Sequence, residues 1–339
     1  MTMPIRRCAA VLAAAAVLLT AACASTPEPA PSGDATTGAA RELTIGLTYT
    51  PDIQFAPFYV AEANGHYAAT GVDVTLRHHG QSESLFGALD AGEEDLVVAG
   101  GDEMLQARSE GVGVTSVATL YQEYPVVLIV PADSDITAPG DLAGRTVGIP
   151  GPFGETYFGL LALLSGADLT EDDVTVEHIG FTQQAALTAG HVDAVVGFSN
   201  NDAVQFEAAG LPVRTIELAT GGVPLLGIGL GASEAAADDA VLDAVVEATL
   251  LGVRDVIADP AGAVDIAADY IPGLSGTAQQ EAALATLEAT VPLYGPAGEV
   301  GASSEAQWQA MADFMTSQGL LAGDVDITDA MTTRHLPVR

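Results

Sequence analysis

The chain contains no lysine: all ten of its basic residues are arginine, and two of these, Arg6 and Arg7, stand at its start. That absence excludes a Schiff-base lysine, a lysine nucleophile and a lysine-dependent phosphate loop. Cysteine is nearly as scarce. Only Cys8 and Cys23 occur, so the residues after 23 can form no disulfide, ligate no metal through sulfur and supply no thiol nucleophile. With so few cations, the formal net charge is -35. A surface of that sign repels nucleic acid and anionic headgroups. The carboxylates are dispersed rather than blocked, which reads as a solvated acidic surface. No Gly-x-Ser-x-Gly elbow is present, and His66, His178 and His191 stand alone, so no nucleophile–base set and no metal cluster are expected. His78-His79 reads as a surface pair at a strand end. No repeat of solenoid period occurs, and no apolar run after residue 22 reaches the ~20 residues that span a bilayer.

What is present begins with an export signal. Arg6 and Arg7 precede an apolar run from Ala9 to Leu19 that is too short for a permanent membrane helix. It ends in Leu19-Thr20-Ala21-Ala22-Cys23, which resembles a bacterial lipobox with Thr20 where Leu is commoner. The resemblance implies a lipoprotein signal peptide over 1–22 and acylation of Cys23. Residues 23–42 are rich in Ser, Thr, Pro, Gly and Ala and read as a flexible tether. The folded part is then expected outside the cytoplasm, anchored to the cell membrane through Cys23.

Beyond the tether, strands and helices alternate. Leu43–Leu47, Val72–Leu76 and Asp95–Ala99 suit strands, with helices expected from Phe58 to Asn64, Ser84 to Ala91 and Asp102 to about Ser109. A long apolar run, Pro125–Val130, follows. A second rhythm has strands at 146–149, 174–178, 194–196 and 213–218 and helices at 157–164, 183–189 and 201–209. A Gly-rich apolar stretch at 225–230 opens a new direction, and helices are expected near 240–257, 262–270, 277–290 and 304–317. The last starts at a capping box, Ser304 and Gln307. Two α/β units followed by helices predict lobe 1 at 43–130, lobe 2 at 131–222, and a return crossover with C-terminal helices at 223–339 completing lobe 1.

Ligands of open parallel sheets meet the carboxyl ends of strands. That rule selects Thr50–Tyr59, Gly100–Glu103, Pro150–Thr156 and Gly197–Asp202. These stretches hold Phe55, Phe58, Tyr59, Phe153 and Phe198, five of the seventeen Phe and Tyr, beside Asp52, Gln54, Asp102, Glu155, Asn200 and Asn201. None holds a cation. Rings with neutral hydrogen-bonding groups suit a planar, nitrogen-bearing guest, and a doubly charged phosphate finds no partner. Structural roles compete at several positions: Asp102 as a helix cap, Asn200 or Asn201 as a cap or turn, Phe55 and Tyr59 in the core, Gly151 and Gly154 as turn residues. Phe58 and Phe153 are read as stacking on a ligand, and Tyr121 as a cleft residue.

Several of these stretches resemble a family. Gln54–Ala61, then Asn64–Tyr67 and Gly71–Val74, resemble the opening motif of periplasmic binding proteins for thiamine pyrimidine precursors, riboflavin and sulfonates. Asp141–Gly148 is similar to their start of lobe two, and Val192–Asn201 to the riboflavin and thiamine-pyrimidine branch. The end, Trp308 to Leu320, is similar to their final helix. The likeness implies a type II periplasmic binding protein fold: two α/β lobes joined by two crossover strands, with C-terminal helices. It implies an ABC importer's solute-binding protein that works as a monomer, needs no cofactor or metal, and hands a small molecule to a permease and its ATPase. By analogy Phe58, Phe153 and Asn200 contact ligand. The expected site is Asp52, Gln54, Phe58, Asp102, Tyr121, Phe153, Gly154, Glu155, Phe198 and Asn200. An aliphatic sulfonate on the same scaffold is the alternative. Relatives that synthesise the thiamine pyrimidine use a lysine and a cysteine-rich motif, which this chain lacks, so no enzyme activity is expected.

Overall fold

A computed structural model describes residues 41–80, 83–218, 223–236, 241–296 and 299–337. The signal peptide, Cys23 and nearly all of the tether lie outside the described residues. Arg41 and Glu42, expected at the end of the tether, already belong to the first strand.

Among the described residues ten strands form two five-stranded sheets. They are β1 (Arg41–Leu47), β2 (Val72–His78), β3 (Leu96–Gly100), β4 (Val114–Thr119), β5 (Val126–Pro131), β6 (Thr146–Ile149), β7 (Thr175–His178), β8 (Ala194–Phe198), β9 (Val213–Glu217) and β10 (Ile228–Ser233). The first sheet has the order β2-β1-β3-β10-β4 and the second β7-β6-β8-β5-β9. Within each, the βαβ strands run parallel, and one strand arriving from the other lobe runs antiparallel between two neighbours: β10 between β3 and β4, β5 between β8 and β9. The Val126–Pro131 run is apolar on both faces because it is a buried inner strand of the second sheet. The lobe boundary therefore falls before residue 126, not at 130 as the sequence suggested. β4 has no counterpart among the expected strands, and the return strand begins at Ile228 rather than 225, since Leu225 and Leu226 pack into the core between the lobes.

The helices are α1 (Ala56–Ala63), α2 (His66–Ala69), α3 (Gly87–Asp90), α4 (Gly101–Ser109), α5 (Gly154–Gly166), α6 (Gln183–Thr188), α7 (Asp202–Ala208), α8 (Val241–Ala258), α9 (Pro260–Ala267), α10 (Thr277–Thr290), α11 (Glu305–Ser317) and α12 (Ile327–Ala330). Among the described residues no helix is long and apolar enough to cross a membrane. Helices α8 to α10 pack with α1 on one face of the first sheet, around Tyr59, Val253 and Leu287. Trp308 of α11 fills the other face, beside Met104, Met311 and Phe158 of α5. Burying each such side chain contributes about 1.5–3 kcal/mol. The capping box at α11 is present: Ser304 accepts from the Gln307 N–H, and the Gln307 side chain accepts from the Ser304 N–H.

The two histidines at the end of β2 are not a surface pair. His79 is buried and bonds Glu94 at 2.8 Å, and Glu94 also accepts from Arg77 at 2.6 Å. His78 lies 3.0 Å from the Tyr59 hydroxyl and edges the Phe55 ring. Arg77 and His79 thus meet on the Glu94 carboxyl and fix the strand end.

Candidate functional site

Parallel strands β1, β3, β6 and β8 bring their carboxyl ends to one place, and the loops that follow build two facing walls. The cleft between them has a volume of about 570 Å³, within the range of small-molecule sites. Its lobe 1 wall carries Tyr49, Phe55, Phe58 and Tyr121, and its lobe 2 wall Phe153, Phe181 and Phe198. Gln54, Gln183, Asn201 and Gln205 add amide residues to the same lining, and Asp52, Glu103, Glu155 and Asp202 add carboxyl residues. Among the described lining residues none is Arg, Lys or His.

Local sequence explains each placement. Asp52 accepts from the Gln54 N–H at 3.0 Å and so starts the short turn that aims Gln54 and Phe55 at the cleft. Pro57 then fits the first turn of α1, which needs no donor there. On lobe 2, Gly154 takes a φ of +70° at the start of α5, a conformation that side chains with a Cβ resist. A Cβ there would also stand 3.3 Å from Glu103 Oε1. The turn leaves Phe153 at 55% exposure beside the cleft mouth. At the end of β8, Asp202 accepts from the Phe198 N–H at 2.8 Å and holds that ring in position.

Among the described residues three large apolar side chains are exposed, Tyr49, Phe153 and Phe181, and all three line this cleft. Exposed rings scattered singly mean little, but rings gathered at one concave surface mark an interaction site.

The carboxyls meet where α4 and α5 point their first turns at each other. The Glu103 side chain accepts from the Gly100 N–H at 3.0 Å. Asp102 accepts from its own helix at the Glu103 N–H and from the Tyr124 hydroxyl at 2.7 Å. That hydroxyl also lies 3.0 Å from the Glu155 carbonyl oxygen. Burial is the main cause that pushes all three carboxyls upward: Asp102 to about 8, Glu103 to about 7, and Glu155 well above its ordinary range. Asp102 and Glu155 are raised further by neighbouring negative charge. Burial also raises Asp52 and Asp202.

Of the residues expected at the site, Asp52, Gln54, Phe58, Tyr121, Phe153, Gly154, Glu155 and Phe198 line the cleft. Asp102 and Asn200 do not. Asp102 is wholly buried beneath the wall, and its neighbour Glu103 reaches the cleft instead. Asn200 is wholly buried as well and donates to the Thr290 hydroxyl of α10 at 2.9 Å, which ties lobe 2 to lobe 1 behind the cleft. Asn201 and Asp202 take its expected place. Phe181, Gln183 and Gln205 were not among the expected residues. The signal that could have found Phe181 is a ring in the loop directly after a strand end.

A family model described as NMT1/THI5 like matches residues 52–263. The chain is 34% identical to the riboflavin-binding protein RibY of Chloroflexus aurantiacus, over 94% of this chain and 92% of that one. It is 24% identical to the formylaminopyrimidine-binding protein of Halalkalibacterium halodurans, over 85% and 89% of the two chains. Among solved structures, it resembles the alkanesulfonate-binding protein SsuA of Xanthomonas axonopodis pv. citri, bound to MOPS. That match has a TM-score of 0.67 at 22% identity and covers 87% of this chain and 100% of the other. The likeness to SsuA establishes the fold: a type II periplasmic binding protein of two α/β lobes joined by two crossovers.

Proposed function

This chain belongs to the NMT1/THI5-like family, and from that premise we propose that it is an extracytoplasmic solute-binding protein of an ABC importer, capturing a planar heteroaromatic nutrient. Riboflavin or a thiamine pyrimidine precursor is the guest. Lipid on Cys23 tethers the protein to the membrane, and a permease with its ATPase reads the closed, loaded form.

The observation that carries this reading is the gathering of exposed Tyr49, Phe153 and Phe181 on the walls of one cleft whose described lining residues include no cation. Closing the walls on a flat ring would shield these faces from water and strengthen the hydrogen bonds of the amides in the same lining. An aliphatic sulfonate is the weaker guest. Helix N-termini can hold an anion, but here Glu103 occupies the first turn of α4 and Glu155 that of α5. Turnover is not part of this reading, because the pyrimidine-forming chemistry of relatives relies on lysine and cysteine that the folded part lacks.

Titration calorimetry tests the ligand. Riboflavin or 4-amino-5-hydroxymethyl-2-methylpyrimidine is expected to bind at micromolar concentration or tighter. If both remain unbound while an alkanesulfonate binds, the heteroaromatic reading is wrong.

A further inference from the structure

The cleft's polar groups are lopsided in kind: Asp52, Glu103, Glu155 and Asp202 supply four carboxyls, and no described lining residue supplies a cation. One of these groups stands apart. Glu155 is only 6% exposed, yet its Oε1 has no hydrogen-bond partner among the described residues, and the residue lines the cleft. A buried polar atom left unpaired is costly unless something arrives to pair it.

Its surroundings come from both lobes. A Cβ built on Gly100 would meet Asp102 Oδ1 at 2.4 Å and Glu155 Oε1 at 2.9 Å, so the two oxygens crowd one point at the lobe boundary. In return, a Cβ on Gly154 would meet Glu103 Oε1 at 3.3 Å. Each lobe thus offers a bare glycine to the other lobe's carboxyl. The groups acting on Glu155 are Asp102 and Glu103 of α4, with the Tyr121 and Tyr124 hydroxyls of the crossover segment nearby. None of them is a cation.

We infer that Glu155 is a specificity-determining residue of this cleft: its carboxyl, set against Asp102 and Glu103 across the lobe boundary, gives a hydrogen bond to an acceptor on an uncharged guest, and the trio bars guests that carry a phosphate. This rests on the reading of the cleft as a flat-ring site. Carboxyls crowded together away from water cannot all ionise, so one keeps its proton. Burial first, and then the neighbouring carboxylates of Asp102 and Glu103, push Glu155 well above its ordinary range and favour its protonated form. A protonated carboxyl has an O–H to donate, which suits a carbonyl oxygen or ring nitrogen. A phosphate dianion meets the opposite situation. It would lose its water beside four carboxyls, with no guanidinium or ammonium to replace it.

Riboflavin and riboflavin 5′-phosphate share one ring and differ by the phosphate, so they separate the two claims. In the wild-type protein near neutral pH, the phosphate ester is expected to bind at least about a hundredfold more weakly, the size of an uncompensated like-charge contact. Riboflavin affinity is expected to fall about tenfold or more between about pH 6 and pH 8.5, as the trio loses its proton. Glu155→Gln keeps an N–H donor but cannot titrate, so it should flatten that profile while leaving the gap between the two flavins near neutral pH in place, because Asp52, Glu103 and Asp202 remain. Equal affinity for both flavins in the wild type overturns the inference, as does an unaltered pH slope in a folded Glu155→Gln protein. If that variant does not fold, the wild-type flavin ratio decides. If neither riboflavin nor the hydroxymethylpyrimidine binds at all, the ring-site reading itself fails and this inference falls with it, a result distinct from equal binding of both flavins.

Discussion

At the scale of single residues, Phe58 and Phe153 look alike in sequence but differ in the fold. Phe58 is 2% exposed and belongs to the lobe 1 core, whereas Phe153 is 55% exposed. Phe153→Ala should therefore weaken binding of a flat guest about ten- to a hundredfold, the cost of one lost stack, with thermal stability unchanged. Phe58→Ala should cost about 3–5 kcal/mol of stability as well, because it opens a cavity. Calorimetry beside thermal denaturation distinguishes the two. The same scale shows where sequence reading stops. It found the strand ends that build the cleft, but at two of them it chose the wrong neighbour. Asp102 stands where Glu103 faces the cleft, and Asn200 where Asn201 and Asp202 do. One residue along a helix turns the side chain by about 100°. Which of two adjacent polar residues faces the guest is set by what packs behind them, here Tyr124 and Thr290. Neither partner can be assigned from residues so far along the chain.

At the scale of elements, the regular βα units were legible because their strands are short apolar runs with glycine or a cap beside them. β4 was not. Val114–Thr119 mixes Thr and Ser with Val and Ala, yet all six residues are buried. The reason lies in the far end of the chain. The Thr332 N–H donates to the Ser116 carbonyl, and Gly301 pairs with Thr119, so late segments cover an edge strand that would otherwise face water. Close packing of α8 on α1 shows a similar long-range dependence. A Cβ on Gly252 would stand 2.1 Å from the Pro57 carbonyl oxygen. Gly252→Ala is expected to cost about 1–3 kcal/mol by forcing these helices apart. Denaturant unfolding would measure it, and a stability equal to wild type would show that the pair yields more easily than its geometry suggests.

At the scale of the whole molecule, proton linkage sets the best working pH. Asp102 and Glu103 hold protons more tightly in the fold, to about 8 and about 7, and Glu155 does so too. The native state then binds more protons than the unfolded chain above about pH 4, so stability declines as pH rises toward 7–8. Asp141, Asp173 and Asp326 act in the other direction. Hydrogen bonds from Thr137, Thr170 and Thr328 hold them below the usual range, and their contribution fades as pH drops under about 4. Melting temperature should therefore peak on the acid side of neutrality and fall by a few degrees toward about pH 8, with Asp102→Asn removing part of that slope. Scanning calorimetry across this range would show it, and a flat profile would contradict it.

The return of β10 to the first sheet has one more outcome. Lobe 1 is not a continuous stretch of polypeptide: residues 41–125 alone would leave β3 and β4 with a gap where β10 belongs, whereas the five strands of the second sheet all fall within 126–217. Synthesis from the N-terminus must therefore hold an unfinished sheet open until residue 233 has emerged. The leading stretch of chain cannot complete its sheet by itself, because the strand that closes the gap is made last.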